Sequence, residues 1–310
     1  MRLSTLLLGI LSLLVLAGWA WDYQTREQAR LRLRVIAAQL EPWGQLRYQN
    51  LRAHPWGQGS VEQLGFTLSP SAARQLSLPA GTELRVDRLE ISRYREGSGQ
   101  TPERLLARWS GLHWPLPHRI TTGTEITDPA EQPLPSLGEL GYPEWRFDGE
   151  LGLQYLPAEH SLQLRFSLSE PSALALAGHL SLRSGAEIFR GETAALELGQ
   201  LQLEYRDLGL LSRLKTLLAL RARVSASALD QALVARLERE TQQRALHWNE
   251  NDYRALDSFL REPRALLLRL DPPGKLRLRD LSLYAESDLP QVLGLELRAP
   301  NATTPTVVAP

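Results

Sequence analysis

Between Trp145 and Leu182 the apolar residues fall on every second position, and that period limits what this chain can fold into. Trp145, Phe147, Gly149, Leu151, Leu153 and Tyr155 alternate with Arg146, Asp148, Glu150, Gly152 and Gln154. Pro157-Ala-Glu-His160 turns the chain. Leu162, Leu164, Phe166 and Leu168 then alternate, followed by Leu174, Leu176, Gly178, Leu180 and Leu182. A period of two sends successive side chains to opposite faces of an extended backbone. The stretch therefore reads as an antiparallel meander with one apolar and one polar face. Leu196, Leu198, Leu201, Leu203 and Tyr205 extend it.

Shorter strands precede the meander. Gln45–Gln49 alternates, and so do Leu64, Phe66 and Leu68. Leu84 and Val86 keep one phase while Leu89 and Ile91 take the other, which predicts a bulge or a break between strands. Thr121–Ser136 is a polar, Pro-containing loop and the best internal boundary. After Tyr205 the period changes. Leu210, Leu211, Leu214, Leu217 and Leu218 have helical spacing, and so do Leu229, Leu233 and Leu237. Tyr253, Leu256, Phe259 and Leu260 mark a third helix. Ser225 or Ser227 can cap the second helix and Asn249 or Asn251 the third. Strands return at Leu266–Leu270, Leu276–Leu278 and Leu281–Leu283.

The N-terminus carries a different signal. Leu3 to Trp21 contains no charged residue. As a helix rising ~1.5 Å per residue it reaches roughly 28 Å, close to the ~30 Å of a bilayer core. Leu3, Leu8, Ile10, Leu13 and Val15 would face lipid, and Trp19 and Trp21 would anchor at the headgroup level. A retained anchor and a cleaved signal peptide are both compatible with the run, since Gly18-Trp19-Ala20 can pass as an exit site. A lipoprotein is excluded, because the chain has no cysteine to acylate. Arg26, Arg30, Arg32 and Arg34 outnumber Arg2, and that count alone favours a cytoplasmic body. Two residues followed by a hydrophobic run is the form of an exported chain, and on that ground the body is placed outside.

The fold class read from these patterns is α+β: an N-terminal transmembrane helix, then an antiparallel β-sheet body with a helical subdomain. The divisions are a membrane anchor (1–21), a helical stalk (22–41), an N-terminal β region (42–122), a polar loop (123–137), the meander (138–207), the helical subdomain (208–262), returning strands (263–298) and a disordered tail (299–310).

Two segments resemble bacterial inner-membrane-anchored, β-rich envelope proteins of the AsmA-like or YdgA-like style. In one, Trp43-Gly44-Gln45-Leu46-Arg47-Tyr48 leads through Pro55-Trp56-Gly57 to Val61-Glu62-Gln63-Leu64. In the other, Leu140-Gly141-Tyr142 and Trp145-Arg146-Phe147-Asp148 lead into the meander. The resemblance implies a single-pass inner-membrane protein with its body in the periplasm and a role in lipid homeostasis. It carries over no catalytic residue.

Chemistry-bearing patterns are sparse. Net charge is 0, so no basic field recruits nucleic acid. The histidines, His54, His113, His118, His160, His179 and His247, form no helical pair, and His113 and His118, which flank Trp114-Pro115-Leu116-Pro117, read as loop residues. HExxH, Walker A and GxSxG are absent, and the sequence points to no cofactor and no metal. Asp148 and Glu150 share a solvated strand face. The remaining candidate is the apolar side of the meander: Trp145, Phe147, Leu151, Leu153, Tyr155, Leu164 and Phe166. It is either an ordinary core or an open groove. The functional expectation is a membrane-anchored periplasmic non-enzymatic protein that binds lipid or scaffolds envelope partners. The alternative is an envelope hydrolase with a dispersed carboxylate site.

Overall fold

The computed structural model describes residues 31, 34, 37, 38, 40–54, 58–75, 78–96, 102–115, 135, 137–142, 144–183, 196–246 and 248–300. The predicted Leu3–Trp21 helix, nearly all of the Thr121–Ser136 loop and the tail beyond Pro300 lie outside them. So does most of the predicted stalk, of which Leu31, Arg34, Ala37, Ala38 and Leu40 are helical. Among the described residues no helix is long and apolar enough to cross a membrane. The chain is α+β, and every strand pair with a described register is antiparallel. It divides into two compact units, one within Met1–His118, Gly141–Ala158 and Leu162–Leu168, the other within Arg119–Leu140, Glu159–Ser161 and Ser169–Pro310.

In the first unit, β1 (Gly44–Arg47) and β2 (Asn50–His54) both pair with β3 (Gln58–Leu68). Next come β4 (Glu83–Glu96), β5 (Pro102–Pro115) and β6 (Glu144–Leu156), then residues 162–168 of β7 (Ser161–Glu170). The core is the apolar face, where Val61, Leu89, Ile91, Leu105, Ala107, Leu151 and Leu162 are all buried. Full burial of a Leu or Ile side chain stabilises by about 1.5–3 kcal/mol. A short helix, α1 (Pro70–Gln75), closes one end. Pro70 supplies the preset φ of a first helical position, and Ser69 Oγ accepts the Ala72 N–H at 3.3 Å. Its Ala72 and Ala73 pack with Phe66 and Leu68.

The phase change read at Leu84–Ile91 occurs inside one unbroken strand. It is also wider than β4. On β3 the buried positions pass from Gly59 and Val61 to Phe66 and Leu68, across Gln63 at φ 52°. On β5 they pass from Leu105 and Ala107 to Leu112. β6 keeps one phase throughout. The mismatch is absorbed between β5 and β6, where Trp109 pairs with Gly149 and Leu112 with Phe147. Ser110 and Gly111 thus stand against Asp148 alone, a β-bulge that restores the common apolar face.

In the second unit, β8 (Leu174–Arg183), β9 (Glu197–Asp207), β10 (Ala265–Leu270) and β12 (Leu295–Arg298) lie side by side, with β11 (Leu276–Arg277) also on β9. A register shift at Ser181/Leu182 leaves Gly199 as the extra residue. That bulge accounts for the phase change between Leu198 and Leu201. The helical subdomain is α2 (Leu210–Ala222), α3 (Ala226–Gln243) and α4 (Glu250–Arg261), inserted between the paired strands β9 and β10. Of the alternative caps, Ser225 accepts from Ala228 at 3.2 Å and Asn249 from Asp252 at 2.9 Å. Leu218, Ala219 and Leu229 form the helix–helix core. Lys215 on α2 ties the three helices together. Its Nζ lies 2.6 Å from Asp230 Oδ1 on α3 and donates to the terminal carbonyls of α4, Leu260 at 2.8 Å and Arg261 at 2.9 Å. One sequence expectation fails here. Leu281–Leu283 is not a strand but the end of a helical turn, Leu278–Leu283, which precedes a second turn at Glu286–Asp288 and α5 (Leu289–Val292). Three residues are too few to separate a period of two from a tight helical turn.

Candidate functional site

The β5–β6 ladder carries the most chemistry of any place in the described residues, and its two faces differ. On the apolar face register pairs Trp114 with Trp145, Leu112 with Phe147, and Trp109 with Gly149. Trp145 and Phe147 meet edge to face, with ring centroids 5.0 Å apart at 89°. The Trp109 ring lies over Gly149, where a Cβ would come within 2.3 Å of it. Glycine on β6 therefore makes room for the indole. The indole nitrogens of Trp109 and Trp145 are shielded from solvent and have no hydrogen-bond partner among the described residues.

The opposite face is charged. Gly111, at φ 59°, donates its N–H to Asp148 Oδ1 at 2.8 Å. A Cβ on Gly111 would lie 2.1 Å from Asp87 Oδ2, so the bulge admits no side chain there. Asp87 accepts from Arg146 Nη2 at 2.8 Å and lies 3.4 Å from His113 Nε2. The other ring nitrogen of His113 is 3.5 Å from Glu144. Glu150 takes Arg108 at 2.6 Å, and this hydrogen bond raises the Arg108 guanidinium above its ordinary range. Among the described residues no three His, Asp or Glu side chains converge as metal ligands, and no serine or threonine hydroxyl bonds His113. Each carboxylate here is engaged by a guanidinium, an imidazole or a backbone N–H. The cluster straps three strands together at the bulge.

Most of the sequence-derived apolar side chains are covered. Leu151 is 1 % exposed and Leu153 3 %. Phe147 and Leu164 are buried as well, while Trp145, Tyr155 and Phe166 are half-buried. The deeply buried members are core side chains, so any binding surface narrows to the half-buried aromatics. Of the anchor residues, Leu3, Leu8, Ile10, Leu13, Val15, Trp19 and Trp21 lie outside the described residues. His113 is not a loop residue but part of β5. Alternation on β5 does not place Trp109 and Trp114 on one face, because the bulge interrupts it. Their signal is the register with Trp145 and Gly149, which only pairing reveals.

Residues 160–300 are similar to a family model described as "Uncharacterized protein". The match runs from the turn before β7 to just past β12, taking in the helical subdomain. No curated protein matches the chain.

Proposed function

We propose that this chain is a membrane-anchored, non-enzymatic envelope protein that binds a lipid along the aromatic row of its first unit. Leu3–Trp21 is the anchor in this reading, and the body from about Asp22 onward lies in the periplasm. One observation carries the lipid assignment. Trp109 and Trp145 present buried indole N–H groups without acceptors among the described residues, on a sheet face that is otherwise apolar. A donor withdrawn from water and left unpaired costs about 1–3 kcal/mol. A phospholipid brings both complements, an ester carbonyl to accept and acyl chains to lie on the half-buried Trp114, Tyr155 and Phe166. The charged face supports the non-enzymatic reading, because its carboxylates already have partners across the ladder.

Native mass spectrometry after extraction in mild detergent tests this. The expected result is phospholipid retained on the chain and reduced in Trp145→Phe, which keeps an aromatic ring and removes the donor. A bare protein mass overturns lipid binding, and a second protein in fixed ratio supports a scaffold instead. Alkaline phosphatase fused after Pro310 is expected to be active; an inactive fusion beside an active cytoplasmic reporter reverses the orientation.

A further inference from the structure

We infer that the second unit carries its own contact for an anionic bilayer surface, the strip from Lys275 to Tyr284; this rests on the membrane attachment proposed above. The strip begins at β11, where buried Leu276 pairs with Leu198 and holds the backbone to the sheet. Beyond that tether most side chains are exposed, with only Asp280 and Leu281 half-buried. Leu283 is 80 % exposed, the highest value among the large apolar side chains of the described residues, and Tyr284 and Leu278 are also exposed. These are three of the seven exposed large apolar residues, gathered within one short segment.

Charge indicates what covers them. Lys275 and Arg277 are exposed and make no ion pair among the described residues, and Arg279 reaches only its neighbour Asp280, at 3.4 Å. The strip thus sets three cations against one carboxylate. The flanking Glu286 is taken by Arg244 at 4.0 Å. Among the other described residues arginines are mostly paired with carboxylates, as Arg108 is with Glu150 and Arg269 with Asp271. Two unpaired cations beside an exposed leucine and tyrosine fit a surface of anionic headgroups over hydrocarbon. The cations meet phosphates, the tyrosine ring sits at the headgroup level and Leu283 enters the acyl boundary.

The chain lacks cysteine, so Leu283→Cys gives a single attachment point for an environment-sensitive fluorophore. The labelled full chain is reconstituted into vesicles of phosphatidylcholine alone or mixed with phosphatidylglycerol. In the mixed vesicles the emission is expected to shift to the blue and to be quenched by nitroxide-bearing lipid. Added salt, or Lys275→Glu with Arg277→Glu, is expected to reverse both effects. A label at Leu220→Cys, 72 % exposed on α2, should remain in water throughout. Circular dichroism checks that each variant is folded. A water-like spectrum at 283 in both vesicles overturns the inference, and so does equal shielding in both. Shielding without lipid quenching assigns the strip to a protein contact and overturns it too. Carbonate extraction of the same membranes reads the N-terminal anchor separately. If the chain is released, the anchor reading fails, and adding the released chain to the mixed vesicles still tests the strip.

Discussion

Asp252 Oδ1, on a residue only 2 % exposed, accepts the backbone N–H of Leu297 at 2.5 Å. Leu297 lies on β12, whose other side is paired with β10, so this N–H points off the edge of the ladder. An open edge is a template for another strand. Here the third residue of α4 closes it, and the Asn249 cap that accepts the Asp252 N–H fixes where that carboxylate stands. Asp252→Ala should destabilise the second unit by about 2–3 kcal/mol, through an unsatisfied buried donor. Asp252→Asn, which keeps an acceptor oxygen, should cost less. Hydrogen exchange at Leu297 checks the location: its protection should fall first in the alanine variant.

The bulge at Gly111 gives a second expectation. Asp148→Ala removes the acceptor for the Gly111 N–H and should cost about 1 kcal/mol. Gly111→Ala should cost more, about 2–4 kcal/mol, because it adds left-handed backbone strain and drives Asp87 away from Arg146. Denaturant unfolding of the full chain in mild detergent measures both, and an equal effect of the two variants would argue against this account.

Lys215 is one of two lysines in the chain. Lys215→Met keeps the aliphatic stem, leaves Asp230 without its cation and frees two carbonyls at the end of α4. A loss of about 2–4 kcal/mol follows from stripping one partner from a largely buried pair. The helical signal in circular dichroism should melt at lower temperature than in the unmodified chain.

Tyr253 on α4 donates its hydroxyl to Glu238 on α3 at 2.8 Å. Burial, then this hydrogen bond, push its phenol up to about 12. The raised value favours the neutral phenol in the folded protein. Its stabilising contribution is therefore complete below about pH 10, the ordinary tyrosine value, and is lost as pH rises through about 12. Ultraviolet titration of phenolate should show one late-titrating tyrosine that disappears in Tyr253→Phe.

Leu153→Asp decides whether the buried part of the meander face is core. At 3 % exposure the new carboxylate would have no water and no cation, and unfolding by more than about 3 kcal/mol is expected. Loss of the β signal in circular dichroism is the readout. A folded variant that has lost lipid would instead mark Leu153 as part of a groove.

Sequence alone determined the local periods, because each depends only on neighbouring residues. Trp145–Tyr155 had to be a strand with one apolar face, and the stretches around Leu210–Leu218, Leu229–Leu237 and Tyr253–Leu260 had to be helical. Ser225 or Ser227, and Asn249 or Asn251, were readable as caps because a cap bonds two or three residues ahead, and the structure chose Ser225 and Asn249. What only tertiary structure decided involves partners far apart in the chain. The phase change was visible on β4, but the extra residue sits on β5, since the register must hold across three strands before a bulge can absorb it. Lys215 reads as an ordinary helix-surface cation until Leu260 and Arg261 arrive beside it. Asp252 reads as solvated until β12 offers it a donor. Leu283 fits a strand pattern equally well, and its exposure follows from where the sheet ends. Period is written in adjacent side chains, whereas burial and pairing depend on which distant backbone comes to lie within hydrogen-bond reach.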